Sequence, residues 1–405
     1  MGIVVQKYGG SSVADVEKIM RVANRIVNAK KEGNQVVAIV SAMGKTTDNL
    51  ISLANEINSR PPKREMDRLL STGEQISMSL LAMAIDSLGE NAVSLTGPQA
   101  GIRTDSKYSK AKIVNIVSNR LKNELENDNI IIVAGFQGET EEHDIATLGR
   151  GGSDTSAVSI AAALNADLCE IFTDVDGVYS CDPRIVPKAK KLSAVSYDAM
   201  LELALLGAKV LHPRAVEVAK SHGVEIHVRS SFSHDVGTIV KKEVSEMEHD
   251  GLITGIAHDK NVAKVVIFGV PDTPGTAAKI FKALADENIS IQMIVQSAQI
   301  KNINDIAFTC STEDAKEAAD ILRKIGEKIG AERVIINENI AKVSVIGAGM
   351  MTHSNIASRM FNTLGENNIN IDLISTSEIT ISVTVDLDQC EKAVETLAKE
   401  FDIVE

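Results

Sequence analysis

The residues best suited to chemistry lie at 147–156, which read Thr-Leu-Gly-Arg-Gly-Gly-Ser-Asp-Thr-Ser. Three glycines let this backbone turn tightly and approach a ligand closely. An apolar stripe at helical spacing follows, so we expect a helix here with Ser153 and Asp154 as its cap. The first N–H groups of such a helix are free to bind an anion. A turn that serves packing alone has the same composition, so this stretch by itself leaves both interpretations open.

A second glycine turn, Lys-Tyr-Gly-Gly at residues 7–10, follows a short apolar strand at 3–6. We expect a helix after it, with a capping box from Ser12 to Asp15 and an end at Gly33. A lysine beside a helix N-terminus supplies the compact positive charge that phosphoryl transfer requires. The alternative is a solvated surface lysine, and the adjacent glycine pair favours the phosphate interpretation.

Polar side chains also follow the next predicted strand and open a later helix. The strand at 36–40 leads to the hydroxyl groups of Ser41 and Thr47, which are good ligand candidates. Gly-Lys-Thr at 44–46 imitates the end of a P-loop, but the upstream glycine of that motif is absent, so we reject it. Glu74 opens a helix, where a carboxylate is often no more than a partner of the helix dipole.

A polar loop at 173–184 follows the strand predicted at 168–172. Its aspartates alternate with glycine and tyrosine, but no glutamate closes the series, which excludes an EF-hand calcium loop. An arginine and a tyrosine in the same loop fit the edge of a nucleotide better. The sequence therefore indicates a nucleotide at the carboxyl end of this strand.

The elements that must position these loops alternate between strand and helix. Further strands are expected at 92–95 and 130–133, with a helix between them at about 109–126. This alternation predicts an α/β fold, with a mostly parallel sheet covered by helices on both faces. Only 3% of the residues are aromatic, so the core must be aliphatic, which suits parallel strands. Ligands of such folds bind at the carboxyl ends of the strands, where the glycine turns also lie.

The composition excludes several classes of protein. The chain has 405 residues, 44% of them hydrophobic, which is enough for about two or three domains. A net charge of -13 and a pI near 5.2 argue against nucleic acid or an anionic membrane as a partner. The four cysteines form no close pair, which predicts reduced thiols and a cytoplasmic location. No signal peptide and no uncharged run of about 18 residues is present, so neither secretion nor a membrane span is expected.

The C-terminal part contains one pattern twice, at 288–297 and 368–377. In both copies a strand and a helix precede the pattern, and another strand and helix follow it. This order predicts two small α+β modules. The strand-to-helix turn of each module offers free N–H groups to an amino-acid carboxylate, and the alternative is a dimerising module without a ligand.

Five motifs stand out in chain order: Lys7-Tyr-Gly-Gly-Ser-Ser, Gly135-Phe-Gln-Gly, Leu148-Gly-Arg-Gly-Gly-Ser-Asp-Thr, Thr173-Asp-Val-Asp-Gly-Val-Tyr and Asp182-Pro-Arg. Together they resemble the amino acid kinase family, and the tandem repeats resemble ACT domains. The resemblance covers essentially the whole chain. It is strongest to the branch of the family that phosphorylates aspartate and lacks a fused homoserine dehydrogenase domain.

The resemblance implies a fold and a domain division. The fold is a three-layer α/β/α amino acid kinase domain with a mostly parallel sheet, followed by two ferredoxin-like α+β ACT modules. The catalytic domain would occupy residues 1–240 and the first ACT domain residues 263–337. The second ACT domain would combine 250–262 with 341–405, so that the first is an insertion within it.

The resemblance also implies an activity and its regulation. The enzyme would transfer the γ-phosphoryl group of ATP, carried with Mg²⁺, to the side-chain carboxylate of L-aspartate. The product, 4-phospho-L-aspartate, begins the pathway to lysine, threonine and methionine. Lysine or threonine would act as a feedback inhibitor at the ACT domains, through which the chains would form a homodimer or larger homo-oligomer.

The same resemblance assigns roles to individual residues. Lys7 would neutralise the moving phosphoryl group, and Asp154 would hold Lys7 and the reactants in line. The implied ATP-binding residues are Lys7, Tyr8, Gly9, Gly10, Thr173, Asp174, Tyr179, Arg184, Lys209 and Val210. The implied substrate-binding residues are Ser41, Thr47, Glu74, Arg150, Gly151, Gly152 and Ser153. The implied allosteric residues are Asp272, Gly275, Thr276, Ala277, Gln292, Gln296, Thr352 and Asp372. No metal site of the protein itself is implied.

Other functions stay open at this point. A kinase of the same fold could act on glutamate, N-acetylglutamate or a nucleoside monophosphate. An amino-acid sensor with an inert kinase half is a rival from another class, although Lys7 and Asp154 are both present. A structural protein would leave five ligand-type loops without a purpose.

Overall fold

The computed structural model describes residues 2–208, 210–242, 253–297, 302–348, 350, 353 and 355–405. These residues form two compact units. The first unit contains residues 2–178, 191–204 and 210–242, and the second contains 179–190, 205–208 and the described residues from 253 onward. Within the described part of the chain, no helix combines the length and the apolar character that crossing a membrane requires.

The first unit alternates strands with helices, as its sequence pattern predicts. Its strands are β1 (Ile3–Tyr8), β2 (Gln35–Val40), β3 (Ala92–Leu95), β4 (Ile102–Thr104), β5 (Ile113–Ile116), β6 (Ile130–Ala134), β7 (Gln137–Glu139), β8 (Ile145–Thr147), β9 (Leu168–Thr173), β10 (Ala194–Ser196), β11 (Ile226–Ser230) and β12 (Thr238–Lys241). Its helices are α1 (Val16–Lys31), α2 (Thr46–Ile57), α3 (Lys63–Leu70), α4 (Thr72–Ser87), α5 (Asn119–Glu126), α6 (Gly152–Leu164), α7 (Tyr197–Leu205) and α8 (Pro213–His222).

The main sheet of this unit has eight strands in the order β10-β12-β11-β9-β1-β2-β6-β3. All neighbours run parallel except β11 and β12. Its central strands are almost wholly apolar because helices cover both faces: α1 and α4 share a core with one face, and α6 packs on the other. The predicted three-layer α/β/α fold is confirmed. Because β1, β2, β6 and β9 are parallel neighbours, their carboxyl ends meet at one edge.

A second, smaller sheet was not expected from the sequence. Its order is β5-β4-β7-β8, and it occupies part of the segment that we predicted to be a helix at 109–126. That prediction is wrong over its first half, because the helix begins only at Asn119. Ile113, Val114 and Ile116 are β-branched and favour a strand, which pairs with β4.

The N-terminus of α1 also differs from the expectation. Asp15 is the N-cap, and its side chain accepts a hydrogen bond of 2.9 Å from the backbone N–H of Lys18. Ser12 lies instead in a 3-10 turn, and its hydroxyl group contacts the hydroxyl group of Ser231 at 2.5 Å. The turn before α1 is therefore fixed by a contact that is distant in sequence, which a local capping rule does not detect.

The second unit repeats one α+β arrangement twice. Its strands are β13 (Gly255–Pro271), β14 (Ile294–Gln296), β15 (Ile303–Cys310), β16 (Arg333–Ile346), β17 (Leu373–Thr376) and β18 (Thr380–Asp386). Its helices are α9 (Thr276–Asp286), α10 (Ala315–Ile329), α11 (Asn355–Glu366) and α12 (Cys390–Glu400). One apolar core lies beneath α9 and α10, and a separate core lies beneath α11 and α12.

Two long strands run through both modules of this unit. Its six-stranded sheet has the order β14-β15-β13-β16-β18-β17. Residues 264–268 of β13 pair with 333–337 of β16, whereas 255–259 pair with 342–346 beyond an irregularity in the register. The first half of β13 thus lies beside the strands of the second module. Leu252, which we also expected in this strand, lies outside the described residues.

Candidate active site

Lys7 and Asp154 face each other at the carboxyl edge of the main sheet. Lys7 lies on the central strand β1, between Ile39 of β2 and Ile171 of β9. Its Nζ is 2.7 Å from Oδ1 of Asp154, in the first turn of α6, and the side chains are only 12% and 13% exposed. The contact is an ion pair without directed hydrogen-bond geometry at Oδ1. Partial burial strengthens the attraction, because less water screens the two charges.

The turn after β1 places the main chain of Gly9 beside this lysine. A Cβ built on Gly9 would lie 3.5 Å from Nζ of Lys7, so the ammonium group sits above the main chain of Gly9. A Cβ on Gly10 would lie 2.7 Å from the carbonyl oxygen of Ala42, which leaves no room for a side chain. Gly10 also accepts a 3.0 Å hydrogen bond from the N–H of Gly44. The turns that follow β1 and β2 therefore contact each other directly through Gly10, Ala42 and Gly44.

The cap of α6 differs from the prediction. Gly151 is the N-cap with φ +69°, and α6 begins at Gly152, so Ser153 and Asp154 lie in the first turn instead of capping it. A Cβ at Gly151 would lie 2.0 Å from Cγ of His212. The glycine is therefore required both by its left-handed conformation and by the imidazole ring that packs against it.

His212 and Arg214 are site residues that sequence reasoning missed. Burial lowers the pKa of His212, and the carboxylate of Asp154 opposes this shift. Arg214 donates hydrogen bonds to the carbonyl oxygens of Leu148, at 2.5 Å, and Ala111, at 2.9 Å. The one signal in the sequence is the His-Pro pair at the start of α8, which marks a helix N-terminus without showing what the helix packs against.

Glu74 is a buried carboxylate near the same edge. It lies in the first turn of α4 and is 3% exposed, and its Oε1 accepts a 3.1 Å hydrogen bond from the N–H of Ala42. Its Oε2 is buried without a hydrogen-bond partner in the structure. Burial raises the pKa of Glu74 to about 7. A buried carboxylate with an unsatisfied oxygen is suited to receive a cationic group of a ligand.

The other predicted substrate-binding residues follow strands of the same edge. Ser41 follows β2, and its N–H donates to the carbonyl oxygen of Tyr8 at 3.1 Å. The Oγ of Ser153 lies 2.9 Å from the position of a Cβ on Gly135, directly after β6. Thr47 lies in the first turn of α2, and Arg150 is exposed on the glycine loop. These loops come from distant parts of the chain.

The predicted ATP-binding residues fall into different places. Thr173 ends β9, and its hydroxyl group donates to Asp174 at 3.0 Å. The ring of Tyr8 is buried in the core and stacks on Phe172 at 4.9 Å, so only its main chain faces the turn. Val210 precedes α8. Lys209 lies outside the described residues.

Tyr179 and Arg184 belong to the second unit, together with the rest of residues 179–190. The guanidinium group of Arg184 is held by the carboxylate of Asp182 at 2.7 Å. The Oγ of Ser180 donates to the carbonyl oxygen of Ile403 at 2.7 Å. The polar loop after β9 thus begins in one compact unit and continues in the other.

The described residues of the predicted allosteric set lie along the chain at the strand-to-helix turn of the first module or beside β14 and β17. Gly275 is the N-cap of α9 with φ +90°, and Thr276 follows it. Asp272 and Ala277 flank this turn, and Gln296 ends β14. Thr352 lies outside the described residues.

Two of these residues, Asp372 and Gln292, each contact a lysine of the other module. Asn-Val-Ala-Lys at 261–264 and Asn-Ile-Ala-Lys at 339–342 are equivalent segments of the two modules. Lys264 of the first module forms an ion pair with Asp372 of the second at 2.6 Å. Lys342 of the second module is buried and donates to the side-chain oxygen of Gln292 in the first. Each module therefore contacts the other through a lysine at the equivalent position, Lys264 or Lys342.

Among the described residues, no group of three or more His, Cys, Asp and Glu side chains is placed to hold a metal ion.

Comparison with known families places this site in a class. Residues 2–230 match the amino acid kinase family, and residues 264–329 and 343–401 each match an ACT domain. The chain thus belongs to the amino acid kinase family, as its motifs predict, and it is an ATP-dependent kinase with two ACT domains.

Individual relatives narrow this class. An aspartokinase of Mycolicibacterium smegmatis is 51% identical over 405 residues, which cover 99% of this chain and 96% of the relative. Aspartokinase 2 of Bacillus subtilis is 48% identical, with coverage of 100% and 98%. The crystal structure of Escherichia coli aspartokinase III with aspartate and ADP matches with a TM-score of 0.84 at 25% identity, over 99% of this chain and 100% of that one. Within the amino acid kinases, the chain belongs to the aspartokinases.

Proposed function

We propose that this enzyme transfers the γ-phosphoryl group of ATP to the side-chain carboxylate of L-aspartate. The product is 4-phospho-L-aspartate, from which lysine, threonine and methionine are made. The observation that carries the proposal is the ion pair of Lys7 and Asp154, 2.7 Å long, beside a glycine turn at the carboxyl edge of the sheet. The related E. coli aspartokinase III has been crystallised with aspartate and ADP.

Catalysis rests on positioning and charge neutralisation. The attacking carboxylate is already an anion, so no strong general base is needed. Lys7 neutralises charge on the moving phosphoryl group, and the N–H groups of Gly9 and Gly10 donate to its oxygens. Asp154 holds the ammonium group of Lys7 in line. Mg²⁺ enters with ATP and neutralises part of the phosphate charge.

Aspartate is held by groups of opposite charge. Glu74 receives its α-ammonium group, which satisfies the unpaired Oε2. Arg150 pairs with its α-carboxylate, a geometry that suits the planar guanidinium group. The N–H groups of the loop after Arg150 and the hydroxyl groups of Ser41, Thr47 and Ser153 complete the substrate site.

The nucleotide binds along the carboxyl ends of β1 and β9. Its site in the first unit includes the main chain of residues 7–10 together with Thr173 and Asp174. The family motifs also assign nucleotide binding to Tyr179, Arg184, Lys209 and Val210.

The two ACT modules regulate the enzyme. Lysine, or threonine, acts as the feedback inhibitor at the turn before α9 and around Gln292 and Asp372. The E. coli relative has been crystallised with lysine in a T-state. The pairing of residues 255–259 with 342–346 supports a second module composed of 250–262 and 341–405, with the first inserted at 263–337 and the catalytic domain at 1–240. Chains associate through these modules into a homodimer or larger oligomer. Four unpaired cysteine thiols favour a cytoplasmic location.

A panel of acceptors tests the proposal. The purified protein is incubated with Mg-ATP and hydroxylamine in the presence of L-aspartate, L-glutamate or N-acetyl-L-glutamate, and acyl hydroxamate is measured. ADP release is followed separately with uridine monophosphate. We expect hydroxamate and ADP above background with L-aspartate. Turnover with another acceptor and none with aspartate would refute the assignment.

A further inference from the structure

Asp67 is a fully buried carboxylate on α3 that the proposed mechanism does not use. Its Oδ2 accepts hydrogen bonds from the backbone N–H groups of Ser109, at 2.8 Å, and Thr147, at 2.7 Å. Its Oδ1 accepts from the hydroxyl groups of the same two residues, at 3.2 and 2.9 Å. A buried charge is tolerated only with such partners, so this carboxylate determines where both residues lie.

The residues that Asp67 holds lead directly into the site. Thr147 is the last residue of β8 and precedes the glycine loop that carries Arg150 and Ser153. The carbonyl oxygen of Thr147 accepts a 2.9 Å hydrogen bond from the N–H of Ala111, two residues after Ser109. Asp67 therefore fixes the start of the loop on which the substrate-binding groups lie.

The C-terminal end of α3 leads into α4, the helix that carries Glu74. The carbonyl oxygen of Asp67 accepts a 3.0 Å hydrogen bond from Ser71, and α4 begins at the next residue. The carbonyl oxygen of Ser71 in turn accepts a 2.9 Å hydrogen bond from the side chain of Gln137. Residues 67–74 therefore connect Glu74 with Asp67, whose side chain holds Thr147 at the start of the glycine loop.

We infer that Asp67 is a positioning residue that sets the distance between Glu74 and the loop bearing Arg150 and Ser153, and thereby aligns aspartate for transfer. The inference rests on the proposed substrate site. Asp67 does not touch the substrate. It keeps two groups of opposite charge at the separation that the ammonium and carboxylate groups of one amino acid require.

Asp67→Ala is the main test variant, and Asp67→Asn is its conservative partner. Alanine leaves the backbone N–H groups of Ser109 and Thr147 without acceptors, so the loop shifts. Asparagine keeps one oxygen for these N–H groups, and its amide donates to the two hydroxyl groups, which are able to accept. Asparagine therefore preserves the geometry and restores activity.

Asp144→Ala is the matched control. Asp144 holds the same helix through Arg64, at 2.5 and 2.7 Å, and accepts from Tyr108 at 3.0 Å, but it does not contact Thr147. Its loss weakens the attachment of α3 while leaving the start of the glycine loop in place. Thr147→Val removes only one of the four hydrogen bonds and serves if Asp67→Ala does not fold.

The measurements are kcat, the KM for aspartate and the dissociation constant of Mg-ADP. For Asp67→Ala we expect kcat divided by the aspartate KM to fall about 10- to 100-fold, with the Mg-ADP constant within about twofold of wild type. For Thr147→Val we expect a fall of about fivefold, and for Asp67→Asn and Asp144→Ala values within about threefold of wild type. A merely structural role would lower the amount of active enzyme and leave the aspartate KM unchanged.

Two results would overturn the inference. One is an aspartate KM and a kcat within twofold of wild type in folded Asp67→Ala, or in Thr147→Val if the former does not fold. The other is an equal loss in Asp144→Ala. A wild-type enzyme that does not phosphorylate aspartate would refute the proposed function instead, so the two failures are distinguishable.

Discussion

At the scale of single residues, Glu74 combines burial with an unpaired carboxylate oxygen. Its pKa is raised to about 7 by burial. Near neutral pH it exists partly as the acid and partly as the anion. A ligand ammonium group at Oε2 would stabilise the anion and lower this pKa. Aspartate binding and ionisation of Glu74 are therefore linked.

The first prediction concerns the pH dependence of substrate binding. As pH falls below about 7, Glu74 becomes protonated and loses its attraction for the α-ammonium group, so the aspartate KM should rise. Glu74→Gln should show a high KM that varies much less between pH 6 and 8. The measurement is the aspartate KM at fixed saturating Mg-ATP. A wild-type KM that falls on acidification would contradict the assignment.

The second prediction concerns stability without substrate. The pKa of Glu74 is about 7 in the folded protein against 4.5 for an ordinary glutamate, so the folded state holds more protons between these values. The free energy of unfolding contributed by this group therefore falls as pH rises from 4.5 to 7, by roughly 3 kcal/mol in total. Glu74→Gln should lack this loss. Denaturant unfolding of both proteins at pH 5 and pH 8 checks it, and identical pH dependence would count against the shifted pKa.

Among elements, the N-terminus of α6 depends on a glycine packed against an imidazole. Gly151 and Gly223 share φ +69°, but only Gly151 is crowded by His212, since nothing lies within 4 Å of a Cβ on Gly223. The two positions form a matched pair. Alanine at position 151 would combine backbone strain with a steric clash, whereas alanine at position 223 would bring backbone strain alone.

The third prediction uses this pair. Gly223→Ala should lower the free energy of unfolding by about 1 to 2 kcal/mol and leave kcat near wild type. Gly151→Ala should lower kcat on the order of 100-fold, because the clash moves Ser153 and Asp154. His212→Ala combined with Gly151→Ala should recover part of the activity. Equal kcat in both single variants would show that the contact with His212 does not position the loop.

The elements also show how far the sequence determines the outcome. The apolar runs of β1, β2 and β6 predict the sheet, because a strand that is buried on both faces has a continuous apolar sequence. The glycines after these strands predict the edge where ligands bind. The helix predicted at 109–126 is wrong over its first half, because the pairing of 113–116 with β4 overrides an apolar spacing that also suits a helix. Asp67 carries no local signal, and the His-Pro pair that begins at His212 marks only a helix N-terminus. Their partners are 42 to 80 residues away for Asp67, and at Gly151 for His212.

At the scale of the whole molecule, the two ACT modules are interwoven instead of being joined in series. Both β13 and β16 contribute to each module, and Lys264 and Lys342 reach into the sister module. Removing the C-terminal module would therefore leave residues 255–259 without their strand partners 342–346 and would uncover Ile256, which is buried in the core beneath α11 and α12. Removing the first module would not.

The fourth prediction follows from this arrangement. Asp259 pairs with Lys342, so 261–340 can be replaced by Asn-Gly to form a hairpin between Lys260 and Ala341 that keeps this register. This internal deletion should yield a soluble protein with a cooperative unfolding transition. A truncation after residue 338 should aggregate or unfold. The measurement is thermal unfolding by circular dichroism with size-exclusion chromatography, and a stable truncation beside an unfolded deletion would refute the interwoven division.

The most direct test of the account is the rate of aspartate-dependent ADP release by Lys7→Ala, compared with wild type at saturating Mg-ATP. We expect a fall of about 100- to 1,000-fold or more, with Mg-ADP binding little changed, because a pre-positioned cation is lost from the phosphoryl group. A folded Lys7→Ala enzyme with a rate within threefold of wild type would contradict it.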